Sequence, residues 1–200
     1  MVSKLQEPCQ TTSERMTFDS LNKKLVHACQ KGDAQAQKDL YNLFAPKMYV
    51  VALRYSKSKQ EAEDILQEGF VKVFQKIKTL KDHSRLQAWI TRIIVNSALN
   101  INRSKLYMFP MYEVTDMALQ TDHDFGLSML GFKDLLQLIQ SLPDGCQMIF
   151  NMYAIEGYSH KEIAERLGIS PGTSKSQLAR ARMLLKSKLE EQKKISYGTI

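Results

Sequence analysis

The chain has 200 residues, 44% of them hydrophobic, with only 9 glycines and 5 prolines. That is too apolar for a disordered chain and too sparsely punctuated for a sandwich of short strands, so one or two helical domains are expected. The net charge is +7, from 28 Lys+Arg against 21 Asp+Glu.

The distribution of charge says more than the total. Residues 83–112 contain no acid and carry Arg85, Arg92, Arg103 and Lys105, and residues 167–189 contain no acid and carry Lys175, Arg180, Arg182, Lys186 and Lys188. The rest of the chain is slightly acidic. Two such patches serve either as solvated faces or as two contacts with a polyanion. Cys9, Cys29 and Cys146 are scattered, without a CxxC or a histidine at ligand spacing, and read as reduced thiols. No metal, no cofactor and no catalytic group is expected, because His27, His83, His123 and His160 pair with no nucleophile. No apolar run approaches the ~20 residues of a membrane span. Lys4, Glu7 and Pro8 leave no apolar signal core. The expectation is a non-enzymatic protein of the cytoplasm with no direct membrane insertion.

Residues 1–20 are polar and aperiodic and read as a tail. Helical pattern begins near Leu21, Gly32-Asp33 offers a stop and an N-cap, and a helix from Ala34 runs toward Tyr55, with Pro46 expected to kink or split it. Ser58 and Glu61 match a capping box opening the next helix. Its apolar stripe is Ala62, Ile65, Leu66, Val73, Phe74 and Ile77, with Glu61, Asp64 and Glu68 on another side. That acidic side is a solvated face or a docking surface. Thr79–His83 reads as a loop, and Ser84 with Gln87 matches another capping box. In the helix that follows, Leu86, Trp89, Ile90, Ile93, Ile94 and Leu99 are apolar. Arg92, Asn96, Asn100 and Arg103 form a polar stripe whose amides and guanidinium groups can bond bases and phosphates or face water. Residues 106–131, with Pro110, Gly126, Glu113, Asp116, Asp122 and Asp124, read as an acidic linker.

Helices resume at Phe132, turn at Leu142-Pro143-Asp144, and give a short helix over Gln147–Ile155 ended by Gly157. Ser159 and Glu162 match a capping box, Ile163, Ala164 and Leu167 face inward, and Gly168 supplies a left-handed turn. Ser170-Pro171 is an N-cap followed by proline at the first helical position. This predicts a helix-turn-helix. Leu178, Ala181 and Leu185 pin its second helix. Gly172, Thr173, Ser176, Gln177 and Arg180 face outward toward base edges, while Lys175, Arg182, Lys186 and Lys188 suit phosphates.

The two halves together resemble a bacterial RNA polymerase sigma factor of the extracytoplasmic-function (ECF) type in the sigma-70 family, over about residues 22–190. Gln60–Phe70 with Val73-Phe74 looks like region 2.2. Trp89-Ile90, Ile93 and Asn96, ending in Arg103, look like region 2.4. Leu142-Pro143, Tyr158-Ser159, Glu162-Ile163-Ala164 and Gly172–Arg182 look like region 4. The resemblance implies an all-α fold of two helical domains joined by a linker: a tail at 1–20, region 2 at 21–105, the linker at 106–131, region 4 at 132–192 and a tail at 193–200. It implies a promoter-specificity subunit that docks on the clamp coiled coil and flap of core RNA polymerase. Docking would use Glu61, Asp64, Gln67 and Glu68. The −10 element would be met by Arg85, Arg92, Asn96, Asn100 and Arg103. The −35 element would be met by Ser170, Gly172, Thr173, Lys175, Ser176, Gln177, Arg180 and Arg182. Promoter DNA and an anti-sigma factor are the further partners it implies, and the free chain would be a monomer. Ser174 departs from the β-branched residue common in the family, and Gln177 from its arginine, a change from guanine toward adenine preference. Without the resemblance, the residues also fit a helix-turn-helix regulator with a helical dimerisation or effector domain, which would be a stable homodimer.

Overall fold

The structure is a computed structural model that describes residues 23–102 and 131–197. The tail at 1–20, Arg103 and nearly all of the acidic linker lie outside the described residues.

The first helix, α1 (23–30), ends before Gly32, whose φ of +87° suits a residue without a Cβ. Asp33 then accepts the Ala36 N–H at 3.0 Å and opens α2 (Ala34–Arg54). Of the kink or split expected at Pro46, the split does not occur: the helix runs from Ala34 to Arg54 through it. Pro46 and Asn42, one turn earlier, are both exposed, so water can reach the carbonyl that loses its partner. Buried Leu40, Phe44, Ala45 and Met48 meanwhile hold the opposite face.

Ser58 caps α3 (Lys59–Lys76) by accepting the Glu61 N–H at 3.1 Å. Glu61 reaches back one residue further than a capping box requires, to the Lys57 N–H at 2.8 Å. The connection beyond α3 is a 3₁₀ turn at Ile77–Thr79, fixed by the Gln30 side-chain amide, which donates to the Ile77 and Leu80 carbonyls at 3.0 and 3.3 Å. The expected capping box at Ser84 does not form. Asp82 takes the capping role two residues earlier, accepting from the Ser84 N–H at 3.1 Å and the Ser84 hydroxyl at 2.6 Å. The hydroxyl is thereby used, and His83–Arg85 winds as a 3₁₀ turn into α4 (Leu86–Ile101).

Helices α2, α3 and α4 pack mutually around Leu40, Phe44, Met48, Ile65, Ile90 and Ile94. Each such side chain stabilises the bundle by about 1.5–3 kcal/mol. Gly69 faces α4, and a Cβ there would lie 2.3 Å from Ile94 Cδ1, so a larger residue would require that side chain to shift.

In the C-terminal half, α5 (Phe132–Gln140) turns at Leu142-Pro143 into α6 (Asp144–Phe150), which continues as a π turn over Asn151–Ile155. Then come α7 (His160–Leu167) and α8 (Pro171–Tyr197), so helix runs past residue 192, where the tail was expected to begin. Buried Ile139, Leu142, Ile149, Met152, Ile163, Leu178, Ala181 and Leu185 form the core of this half. The described residues are thus all helix and turn, with no helix long and apolar enough to cross a membrane.

Candidate nucleic-acid interface

The α7–α8 pair has the geometry of a helix-turn-helix. Ser159 and Glu162 complete a capping box: the Ser159 N–H and hydroxyl donate to Glu162 Oε2 at 2.8 and 2.7 Å, and the Glu162 N–H returns to Ser159 Oγ at 3.3 Å. Gly168 sits at φ +68°, and the N–H groups of Gly168 and Ile169 both reach the Ala164 carbonyl, at 2.9 and 3.1 Å. Ile169 is half-buried in the angle between the helices. Ser170 Oγ accepts the Thr173 N–H at 2.9 Å, Pro171 has no N–H to satisfy, and the helix dipole gives that end a positive character suited to phosphate.

Of the residues expected to contact DNA here, Ser170, Gly172, Lys175 and Arg182 are exposed, while Thr173, Ser176, Gln177 and Arg180 are half-buried. Gln177 departs from the outward orientation expected of it: its amide oxygen accepts from the Cys146 thiol at 3.0 Å. The reason is register. Residue 177 lies three after Ser174 and four before Ala181, both fully buried, so it flanks the inner stripe of α8. Burial pushes the Cys146 thiol up, against the pull of Arg180 and Lys57, so the sulfur keeps the proton it donates.

A support beneath α8 was missed by sequence reading. Ser174 Oγ is 2.9 Å from His160 Nδ1, the His160 ring stacks on Tyr153 at 4.5 Å, and Arg182 lies over Tyr153 at 5.9 Å. Ser174 therefore fills a polar socket. Its spacing of fourteen residues from His160 gives no local signal.

On α4, Arg92 and Asn100 are exposed and Asn96 is half-buried, accepting from Arg166 Nη1 of α7 at 3.0 Å. Arg85 is exposed and pairs with Asp82 at 3.2 Å. Trp89 packs partly buried against the core. On α3, Asp64 and Gln67 are exposed, and Val71, on the same face, is 55% exposed. Glu68 pairs with Lys72, whose ammonium also reaches Ser97 of α4 at 3.3 Å. The α3 face is thus acidic with an apolar edge, and the α4 and α8 faces are basic and amide-rich. Among the described residues no group of His, Cys, Asp or Glu is arranged to hold a metal ion.

Comparison with known proteins decides among the readings of these faces. The family description "Sigma-70 region 2" matches residues 40–105, and "Sigma-70, region 4" matches residues 132–185. The chain belongs to the sigma-70 family, in its ECF branch. It is 28% identical to the ECF RNA polymerase sigma factor SigW of Bacillus subtilis, over 87% of this chain and 100% of that one. It is 26% identical to an ECF RNA polymerase sigma-E factor of Haemophilus influenzae, over 83% of this chain and 94% of that one. Among solved structures, the sigma factor RpoE in complex with the anti-sigma factor NepR from Bartonella quintana is similar at 23% identity, covering 76% of this chain and 96% of that one with a TM-score of 0.47. As a sigma factor, this protein directs RNA polymerase to promoters for transcription initiation and is a non-catalytic subunit. The match of residues 40–105 to region 2 removes the alternative of a regulator with a helical dimerisation domain.

Proposed function

We propose that this sigma factor divides its work among three faces. The acidic α3 face, with Glu61, Asp64, Gln67 and Glu68, docks on the clamp coiled coil of core polymerase, and the C-terminal half meets the flap. The α4 face, with Arg85, Arg92, Asn96 and Asn100, and Arg103 beyond the described residues, engages the −10 element. The N-terminal turns of α8, with Ser170, Gly172, Thr173, Lys175, Ser176, Gln177, Arg180 and Arg182, enter the major groove at the −35 element. The observation that carries this reading is the acid-free stretch 171–189 of α8, capped by Ser170 and set against α7 by the left-handed Gly168. Gln177 reads a base only by exchanging its bond from Cys146 for one in the groove. The protein works in the cytoplasm, is monomeric when free, and is held in reserve by an anti-sigma factor.

The test is transcription from genomic promoter fragments by core polymerase supplied with this chain. Transcripts of defined length are expected. Asp64→Arg is expected to weaken polymerase binding while leaving the DNA affinity of the C-terminal half unchanged. If both fall together, the α3 face has been misassigned. Homodimers that bind a palindrome without polymerase would overturn the whole reading.

A further inference from the structure

Base reading by α8 depends on which of its polar atoms are free. Residues 170–182 hold one side-chain amide, Gln177, and no other side chain there presents a donor and an acceptor on two separate atoms. The hydroxyls of Ser170, Thr173 and Ser176 are committed within the helix. Ser170 Oγ and Thr173 Oγ1 lie 2.9 Å apart, and the Ser176 hydroxyl donates to the Thr173 carbonyl at 3.0 Å. Such bonds belong to the first turns of α8 and last as long as those turns do. Gln177 differs, because its tie comes from another helix. The Cys146 thiol of α6, which packs along α8, donates to Gln177 Oε1 at 3.0 Å.

The two ends of that amide have different surroundings. Cys146 is wholly buried, so water does not compete for the thiol. Gln177 is half-buried, and its Nε2 has no partner among the described residues. The thiol thus holds the acceptor end and leaves the donor end free. Adenine is recognised by an amide that accepts from N6 and donates to N7 together, whereas a lone donor meets N7 of either purine. While Oε1 is turned toward a buried group, Gln177 has nothing to accept the N6 proton, and adenine and guanine look alike to it. The identity of the buried group also matters. A thiol is a weak donor, so its hold yields to a well-placed pair of bonds in the groove. A hydroxyl at the same place would hold harder, and an apolar side chain would not hold at all.

We propose that Cys146, which itself touches no DNA, is a specificity-determining positioning residue: its thiol competes with adenine for Oε1 of Gln177 and blunts the discrimination that this amide gives at the −35 element. This rests on the placing of α8 in the major groove made above. What is withheld is the worth of one hydrogen bond, about two- to tenfold in the ratio of adenine to guanine. The wild-type protein therefore accepts the two purines at that base pair more evenly than an unrestrained glutamine would.

The test has two arms, both on the full-length chain. In the infrared spectrum, the S–H band of Cys146 is assigned by its loss in C146A. Q177A is expected to move that band to higher frequency, because the acceptor is gone. A band that stays in place would overturn the hold. In the second arm, holoenzymes carrying the wild-type, C146A, C146S, Q177A or C146A/Q177A chain select from a promoter randomised across the −35 element, and the bound DNA is sequenced. C146A is expected to raise the ratio of adenine to guanine at one base pair by about two- to tenfold. C146S, which keeps a donor, should leave the ratio at or below the wild-type value, and C146A/Q177A should match Q177A. A preference that appears only once the thiol is removed is the same result at its limit. C146A also empties a little of the core, but loosened packing would weaken binding to all sequences together and leave the ratio at a single pair unmoved. An unchanged ratio in C146A, or an equal rise when Q177A is already present, would overturn the proposal. Selection indifferent to every pair of the −35 element would sink the placing of α8, and this proposal with it, while the infrared arm still reported the bond.

Discussion

Ser174 and His160 carry the plainest lesson at the scale of single residues. A serine where the resemblance leads one to expect a β-branched residue suggests a loosened helix, yet its hydroxyl is buried and bonded to His160 Nδ1. Ser174→Val should therefore destabilise the fold, by about 1–3 kcal/mol, because it strands a partly buried imidazole nitrogen. Denaturant unfolding measures this, and a valine variant as stable as wild type would show the bond to be dispensable. The same pair sets a pH dependence. Burial, then the charges of Lys175 and Arg182, hold His160 below the ordinary imidazole value. A lowered histidine pKa means that the unfolded chain binds more protons than the folded chain in the window just below about 6.5. The stability contributed by neutral His160 is therefore full above that window and is lost as pH falls through it. The thermal midpoint should drop between pH 7.5 and 5.5, and His160→Gln should flatten the drop. An unchanged slope in the variant would assign the effect to other groups.

At the scale of elements, legibility in the sequence followed the range of the interaction. The caps at Asp33, Ser58, Ser159 and Ser170 each act over three residues, and helices start where those side chains stand. The inward stripes of α3, α4 and α7 repeat at helical spacing, and their members are buried except Phe74, Trp89 and Ile93, which pack partly buried against the core. Failures came where a neighbour competed or a distant group intervened. Asp82 displaced Ser84 as a cap. The π turn at Asn151–Ile155 has no periodic signature, and Gln177 turned inward to a cysteine 31 residues away. Gly69 is another position whose meaning is tertiary, since only the nearness of Ile94 explains it. Gly69→Ala gains about 0.8–1.0 kcal/mol of helix propensity and loses about 1–3 kcal/mol to overpacking, so a net loss is expected. Ile94→Val removes the Cδ1 that the new methyl would strike. In a double-mutant cycle the pair should therefore be less destabilised than the sum of the singles. Strict additivity would mean that α3 and α4 separate freely, and that the glycine is not needed for their approach.

At the scale of the whole molecule, fold class and the two-domain plan follow from composition and periodicity, but the joint between domains does not. Arg54 and Glu156 are 102 residues apart, and nothing local in either helix marks them as partners. Charge is legible at long range because it acts at long range, and the acid-free stretches supply Arg92 on α4 and Lys175, Arg180, Arg182, Lys186 and Lys188 on α8, the faces proposed for DNA. That separates two kinds of residue on α8 by the measurements that detect them. Lys175 and Arg182 are exposed cations that suit phosphates, which all sequences share, whereas Gln177 is an amide that suits base edges. A cation on phosphate releases counterions, so losing one should reduce the slope of log affinity against log salt by about 0.9. Lys175→Ala in the holoenzyme should therefore weaken binding to every promoter alike and lower the salt slope by about that amount. Gln177→Ala should leave the slope unchanged and alter the ranking of promoters that differ in the upstream element. Titrating one promoter set at several salt concentrations reads both effects. The roles would be reversed if Lys175→Ala changed the ranking and Gln177→Ala changed the slope. A Gln177→Ala variant with neither effect would mean that the bond from Cys146 is kept on DNA, and that Gln177 packs α8 without reading a base.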